Sequence, residues 1–303
     1  MGRVWEIIGA PYDQAAGRPG AAAAPARVRQ AYLGKWLPRL SRHWGVAVTD
    51  GGDVIPPVQS ASQSTVLDGL ADYSGLVYGR VVESLRAGYT PLVVGGDHAI
   101  SLGPVSAARS IVMERHGAEA QLGLLWVDAH ADLNNDPEGT PHGRVAAFLL
   151  GDGPPDLTSV GSPGPQVKPT NLVCLATRDL MPSERDFIGR TGITLHSMRS
   201  MDARGMRQSG IEAVRFLEAN TDAFYLSFDI DAASGETFDG CATPVVGGLT
   251  CRECCTLVEL AVASEQLIGM DIVEYCPERD ISGHTLALIS EILHTTLGYS
   301  TQY

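Results

Sequence analysis

Two short stretches, Asp128-Ala-His130-Ala-Asp132 and Ser227-Phe-Asp229-Ile-Asp231, set five potential metal ligands at every second residue. Each ends an apolar run, Leu122–Val127 and Ala223–Phe228, that reads as a buried strand. In an extended chain, residues two apart point to the same side, so each stretch would aim its carboxylates and imidazole at one spot. Carboxylates crowded at the end of a hydrophobic strand repel one another and cost desolvation unless a cation sits among them. A divalent metal meets that need, and this many oxygen ligands could share a pair of them.

Two more clusters stand at strand ends. Pro91–Val94 runs into Gly95-Gly96-Asp97-His98, where the glycines permit a tight turn close to a site, and Leu267–Asp271 continues to Glu274. In open parallel α/β sheets, ligands bind beyond the carboxyl ends of the strands. Taken singly, a histidine after a glycine pair is more often a cap or core residue, and Asp-x-Asp is as often a solvated loop as a site. DxHxD directly after a buried strand is stronger, and all four clusters in this order are hard to assign to chance.

The elements that must position these residues alternate. Strands are expected at Val4–Gly9, Val46–Val48, Pro91–Val94, Leu122–Val127, Leu172–Ala176, Ile193–Leu195, Ala223–Phe228 and Leu267–Asp271. Helical periodicity marks Ala24–Trp36, Ser64–Ala87, Ile100–His116, Ser183–Arg190, Ser209–Ala219, Thr250–Ala263 and Ser282–Leu297. Strands too apolar to be half-exposed, alternating with helices, predict a parallel sheet covered on both faces, an α/β fold. Ser183-Glu-Arg-Asp and the capping box Thr250-Cys-Arg-Glu253 mark helix starts. Ala21–Ala24 reads as a loop feeding a helix, and Gly151–Thr170 as a long surface loop, so residues 1–303 are expected to form one domain.

Composition narrows the partners. With 303 residues, 44% hydrophobic and 19% charged, the chain can bury a sizeable core. A formal net charge of −13 argues against nucleic acid or an anionic membrane as partner. Cys251-Arg-Glu-Cys254-Cys255 holds a CxxC with no second pair at zinc-site spacing, so the six cysteines are expected to be free thiols. No apolar stretch reaches the ~20 residues that span a bilayer. The N-terminus has neither a signal-peptide pattern nor a myristoylation motif, and the expected compartment is the cytoplasm.

Together, Gly95-Gly96-Asp97-His98, Asp128-Ala-His-Ala-Asp132, Ser227-Phe-Asp-Ile-Asp231 and Met270-Asp-Ile-Val-Glu274 resemble the signature segments of the ureohydrolases, the arginase and agmatinase family. Ile8-Gly-Ala-Pro-Tyr12 and Ala242-Thr-Pro-Val-Val-Gly-Gly-Leu-Thr250 extend the likeness over nearly the whole chain, and His142-Gly143 looks more like the arginase branch. The resemblance implies a three-layer αβα fold around a parallel sheet of about eight strands. It also implies two Mn2+ per chain and homotrimers or homohexamers, with a small guanidino compound as substrate, cleaved to urea and an amine by a metal-bridging hydroxide. One metal would be held by His98, Asp128, Asp132 and Asp229, the other by Asp128, His130, Asp229 and Asp231. Two such cations ~3.5–4 Å apart can share a hydroxide and lower its pKa. Other divalent metals remain compatible with these ligands. The resemblance gives proton transfer to His142, with Asp132 as a possible relay, and the guanidinium to Glu274, whose carboxylate matches its forked donors. Thr243 would support Glu274, while Trp126 and Phe228 read as core.

The substrate-facing segments depart from that pattern. Asn134 is retained, but Glu138 and Thr140 stand where Ser and Asn are usual, Met181 stands where an amine-binding Asp is usual, and Ala232-Ala-Ser-Gly235 replaces a Leu-Asp-Pro turn. Methionine offers an ammonium group no useful acceptor, and Glu184 could compensate in part. The expectation is a working guanidine-cleaving core with a tail preference other than free L-arginine. Alternatives are agmatinase- or guanidinoalkanoate-type hydrolysis, formimino C–N hydrolysis on the same centre and, from another class, a non-catalytic scaffold.

Overall fold

Among the described residues, eight segments, most of them apolar, form the parallel strands of one sheet: β1 (Val4–Ala10), β2 (Ala47–Asp53), β3 (Thr90–Gly95), β4 (Leu122–Val127), β5 (Leu172–Leu175), β6 (Thr194–His196), β7 (Ala223–Asp229) and β8 (Leu267–Val273). Their order is β2-β1-β3-β8-β7-β4-β5-β6. This computed structural model describes residues 3–36, 39, 47–57, 65–134, 136 and 138–298. Residues of the central strands are buried on both faces, which is why these segments lack the polar alternation of a half-exposed strand.

Alternate side chains feed two cores. Ile8, Leu122, Leu124 and Trp126 join one cluster with Leu70, Tyr73 and Val77 of the helix Val66–Arg86 and with Val105 and Ile111 of Leu102–His116. Ile7, Leu125, Val127 and Leu226 join the other, with Leu217, Leu257 and Ile289 of the helices Met206–Asn220, Cys251–Ala263 and His284–Thr296. Three layers result, as expected.

Several boundaries differ for physical reasons. β2 runs on to Asp53, and its polar sequence is tolerated at the sheet edge; Val46 lies outside the described residues. Ser64 also lies outside them, and the long helix is capped instead by Thr65, whose side chain accepts the Asp68 amide at 3.2 Å. The helix expected at Ala24–Trp36 is broken into an α segment Ala24–Val28 and a π segment Arg29–Leu33, and the loop expected at Ala21–Ala24 holds a 3-10 turn at Ala21–Ala23. Gly151–Thr170 is no plain loop, since it holds short helices at Pro155–Thr158 and Pro169–Asn171. Helices at Val145–Leu149 and Met198–Arg204 were not expected, being too short for a periodic signal. Helix Pro182–Thr191 starts before Ser183, because Glu184 reaches back to the Met181 amide at 2.8 Å. The Thr250–Glu253 capping box forms. All six cysteines are free. Among the described residues no helix is long and apolar enough to cross a membrane.

At the carboxyl end of the sheet the backbone is unusual. Asp132, Ala176 and Glu274 have φ of 51°, 70° and 66°, a left-handed conformation disfavoured for residues with a Cβ, and all three follow strand ends. Gly96 has a different constraint. A Cβ there would stand 1.6 Å from the Tyr12 carbonyl oxygen. Gly96→Ala must therefore push the β1 and β3 loops apart, two residues from His98. The expected result is a melting temperature lowered by at least several degrees, with weakened metal retention; an unchanged melting curve would show that these loops are not locked together.

Candidate metal centre

The loops after β3, β4 and β7 deliver the ligand set, and the loops do not stay extended. Asp128 turns back so that its Oδ1 accepts the His130 amide at 2.6 Å, and Asp229 Oδ1 accepts the Asp231 amide at 2.7 Å. Both are Asx-type turns. Convergence therefore comes from the chain bending about its own aspartates, which corrects the expectation of a same-side extended array. The 3-10 turn Ile230–Ala232 carries Asp231, whose Oδ1 is held by the Ala129 amide at 3.1 Å.

His98 opens a 3-10 turn capped by Asp97, which accepts the Ala99 and Ala15 amides at 3.1 and 2.9 Å. His98 Nδ1 stands 3.1 Å from Asp128 Oδ2, 3.1 Å from Asp132 Oδ2 and 3.0 Å from Asp229 Oδ2. None of these contacts has hydrogen-bond geometry, so the nitrogen is buried without a partner. His130 Nδ1 lies 3.1 Å from Asp231 Oδ2 and 3.4 Å from Asp128 Oδ1. Candidate ligand atoms thus fall into two groups, His98–Asp128–Asp132 and Asp128–His130–Asp231, sharing Asp128. Asp229 stands within reach of the first through His98. One orphaned imidazole nitrogen facing three carboxylates, with carboxylate oxygens otherwise in excess, suits hard divalent cations.

The electrostatics give the same answer. Burial, then the charges of Asp231 and Asp128, pushes Asp229 well above the usual carboxylate range. Burial and Asp128 raise Asp231, and the same two causes raise Asp132 to about 6. Burial opposes ionisation of Asp128, but the flanking His130 and His98 imidazoles hold it well below the usual range. Both imidazoles are raised well above an ordinary histidine, against burial, by those same carboxylates. Without cations, protons hold the cluster together.

Beside the ligands, Glu274 Oε1 accepts the His98 amide at 2.8 Å and meets His142 Nδ1 at 3.0 Å. Its Oε2 is buried with no partner, and the residue lines a cavity together with His142, Asp132 and Asp231.

The arginase family matches residues 4–298. The chain belongs to this family. An arginase of Brevibacillus brevis is 31% identical over 98% of this chain and 99% of its own length. The solved arginase of Bacillus caldovelox superposes with a TM-score of 0.88 at 30% identity, covering 99% of this chain and all of that one. The formimidoylglutamase of Bacillus subtilis, at 20% identity and a TM-score of 0.80, shares the fold. The chain is thus an arginase-family ureohydrolase, a hydrolase of linear amidine C–N bonds.

For this ureohydrolase, the structure brings His98, Asp128, His130, Asp132, Asp229 and Asp231 together, with His142 and Glu274 adjoining. Asn134, Met181, Glu184 and Thr243 line the same cavity. Glu138 and Thr140 do not; both are exposed outside the lining. Thr243 donates to Asp231 Oδ2 at 3.3 Å, so it supports a ligand-group aspartate and not Glu274 as expected. Glu184 is already engaged: its Oε1 accepts the Leu133 amide at 2.9 Å and its Oε2 the Met181 amide.

Three contributors went unread in the sequence. Trp126 is core, but it also stacks on His98 at 4.0 Å between centroids and donates from Nε1 to Asp128 Oδ2 at 3.0 Å. Arg178 threads its guanidinium among backbone carbonyls, meeting those of Asp231 and Val245 at 2.8 Å and that of Ala233 at 3.0 Å. Asp179 brings Oδ2 to 3.9 Å from His130 Nε2. The available signal for Trp126 was its i, i+2 relation to Asp128 across a strand end.

A cage of this kind would bind cations in the folded state only. Adding Mn2+ at ~100 times its dissociation constant should stabilise the protein by ~2.7 kcal/mol for each site, and chelation should reverse the shift. Thermal denaturation with and without EDTA measures it; coincident curves would show that the carboxylates hold no metal.

Proposed function

We propose that this chain hydrolyses a guanidino compound to urea and an amine on a pair of Mn2+ ions, and that the far end of its substrate differs from that of free L-arginine. One ion would be held by His98, Asp128, Asp132 and Asp229, the other by Asp128, His130, Asp229 and Asp231, with Asp128 and Asp229 shared. The observation that carries the reading is the buried carboxylate cage with an unpartnered Glu274 oxygen beside it. When bound, the two cations supply an acidified water as nucleophile and polarise the guanidinium carbon.

The chain's own groups do the rest. Glu274 Oε2 accepts from the planar guanidinium, whose forked N–H donors suit a carboxylate. Its Oε1 meanwhile holds His142 at Nδ1, which orients the ring and leaves Nε2 to deliver a proton to the departing amine. Asp132, half in the cage and half in the cavity, can take the proton that the attacking water loses.

The distal end meets a mixed rim. Asn134 and Thr243 offer neutral hydrogen-bonding groups, while Met181 presents an apolar thioether with 55% of its surface exposed. Among the described residues, no Arg or Lys side chain lines this cavity. Met181 also favours a second reading, an agmatine- or guanidinoalkanoate-type substrate without an α-amino acid end. Glu138, on the surface, adds negative charge near the mouth segment but no direct contact.

The test is urea release from a panel of guanidino compounds by Mn2+-loaded protein. L-Arginine should be outperformed by at least one compound with a modified or missing α-amino acid end. Met181→Asp should raise kcat/KM for L-arginine roughly 10-fold or more, since one charge-assisted hydrogen bond is worth ~1.5–3 kcal/mol. Arginase-like turnover of L-arginine alone by the native chain would remove the altered-tail reading. Absence of urea with every guanidine, replaced by formamide from a formimino compound, would move the chain to the other amidine chemistry.

The pH profile offers an independent check. Burial acts to lower the pKa of His142, but its pair with Glu274 overrides this and lifts it to about 9. The donating proton is therefore present below that pH and is lost as pH rises through it. Activity should hold through neutral pH and fall on the alkaline side near 9. His142→Asn should cost ~10²–10⁴ in kcat and abolish that alkaline limb; a limb that survives would assign it to another group.

A further inference from the structure

We infer that Cys251 and Cys255 form a reversible disulfide, with a low-molecular-weight disulfide as oxidant, and that this bond loosens the cation cage by pulling on the turn that carries Asp231. These two thiols are part-exposed, whereas Cys174, Cys241, Cys254 and Cys276 are buried. Both stand on the helix Cys251–Ala263, four residues apart and so on one face. Their thiols hydrogen-bond to each other, Cys255 donating and Cys251 accepting. The Thr295 hydroxyl, from the helix His284–Thr296, donates to Cys255 in turn.

Thiol chemistry orders the steps. Burial pushes both thiols up, Cys255 to about 12, but the bond received from Cys255 draws Cys251 back. Cys251 also opens the helix, where the N-terminal dipole favours a negative sulfur. Its thiolate therefore attacks first. It bonds to one sulfur of a disulfide such as oxidised glutathione and expels the other as a thiolate. Cys255 then gives its proton to water and attacks the Cys251 sulfur, expelling the second small thiolate. Two protein thiols are oxidised, and one small disulfide is reduced to two thiols. Cys254 completes a CxxC with Cys251 but is packed in the core with Leu257 and Val258, 0% exposed, and stays out of the exchange.

Helix geometry decides what the bond does. Cβ atoms four residues apart on a helix lie about 5–6 Å from each other, and a disulfide needs roughly 3.5–4.5 Å. One end must give way. Cys255 is held by Thr295 and by the core residues Cys254, Leu257 and Val258 around it in the chain. Cys251 is the first residue of the helix, so the first turn yields, and Thr250 and Leu249 move with it. Leu249 is bonded to the cage: its amide donates to the Ala232 carbonyl at 3.0 Å, and its carbonyl accepts the Ser234 amide at 2.9 Å. Gly248 leaves no slack, since a Cβ there would lie 2.6 Å from the Ala232 oxygen and 2.5 Å from Arg178 Nη2. Displacing Leu249 therefore shifts the Ile230–Ala232 turn and Asp231 within it. A disulfide strained in this way is readily reduced, which makes the change reversible.

The crosslink stands on its own geometry, while its effect rests on reading the centre as a cation cage, and the experiment separates the two. The full chain is treated with oxidised glutathione, peptide-mapped by mass spectrometry without reduction, and titrated with Mn2+. A Cys251–Cys255 bond should form, and Mn2+ affinity should fall ~10–100-fold, the range typical when support around a metal ligand is lost. Dithiothreitol should restore the native value. Cys251→Ser and Cys255→Ser should bind Mn2+ as the reduced native chain does and keep that affinity in the oxidant. Thiols left unlinked, or a bond from Cys251 to Cys254 instead, would overturn the pairing. A Cys251–Cys255 bond with unchanged affinity would overturn the coupling. If the reduced chain retains no Mn2+, the cage falls and the coupling with it, while the peptide map still decides the crosslink.

Discussion

Four aspartates, Asp128, Asp132, Asp229 and Asp231, share a space from which water is almost wholly excluded, with exposures of 0%, 7%, 2% and 1%. The rest of the structure answers to that crowding. Two unit charges 4 Å apart interact by ~4 kcal/mol even at an effective dielectric of ~20. A domain's whole folding free energy is only ~5–15 kcal/mol. Several uncompensated pairs of that kind would therefore exceed what the fold can hold, so the cluster must either protonate or take up positive charge. The upward shifts of Asp229, Asp231 and Asp132 describe the first response, and divalent cations would provide the second. Asp128, which faces both imidazoles, is the member that stays ionised in either case.

Holding such a cluster in place requires a rigid frame, and the sheet provides it at its centre. β3, β8, β7 and β4 are consecutive in the sheet, so His98, Glu274, Asp229 and Asp128 leave from neighbouring strand ends. The chain then departs from regular geometry where the cluster needs it. Asp132 and Glu274 take left-handed backbone conformations, which cost ~1–3 kcal/mol each and persist only when surroundings impose them. The Gly96 carbonyl holds the Glu274 amide at 2.8 Å and the Asp132 carbonyl accepts the Ala147 amide at 3.2 Å, while Arg178 braces the loops beside them: its donors reach the carbonyls of Asp231, Ala232 and Ala233 on one loop and Val245 and Val246 on another. A single guanidinium thus ties the Asp231 turn to the segment that brings Thr243 to the cavity.

What could be read without coordinates follows from the same physics. The central strands were legible because parallel strands covered on both faces are apolar throughout, whereas β2, polar and partly exposed at the sheet edge, was read only as far as Val48. The clustering positions were legible because acidic residues directly after such strands are too costly to bury singly, without a compensating partner. Their mode of convergence was not. Period-two spacing suggested an extended array, whereas Asp128 and Asp229 each bind the amide two residues on and bend the chain. Local side-chain-to-backbone bonds of this sort compete with strand continuation, and spacing alone does not reveal which prevails. Pairwise partners across the sheet were equally hidden: Ser227 and Asp271 lie 44 residues apart and meet only through register. Thr243 was placed on the wrong carboxylate for a similar reason, since loop geometry decides which acid its hydroxyl meets. The mouth was least legible, because loops at Asn134–His142 and Arg178–Glu184 are set by contacts between segments distant in sequence.

Those contacts also separate the two ends of the cavity. The cage is built from side chains at strand ends and turns that cap themselves. The rim is built from two loops joined by Glu184, whose carboxylate accepts the Leu133 amide from one and the Met181 amide from the other. Glu184 thus works on backbone, and the side chain at position 181 is free of that duty. Its identity can change without moving the backbone N–H that Glu184 holds, and without disturbing Asp132, which lies one residue before Leu133. A change of side chain at this position would alter the lining of the mouth while the charge balance at the base of the cavity stays as it is. In this architecture the mouth of the cavity is lined in part by a side chain that the fold does not need, and its base by side chains that the fold can hold together only with protons or cations.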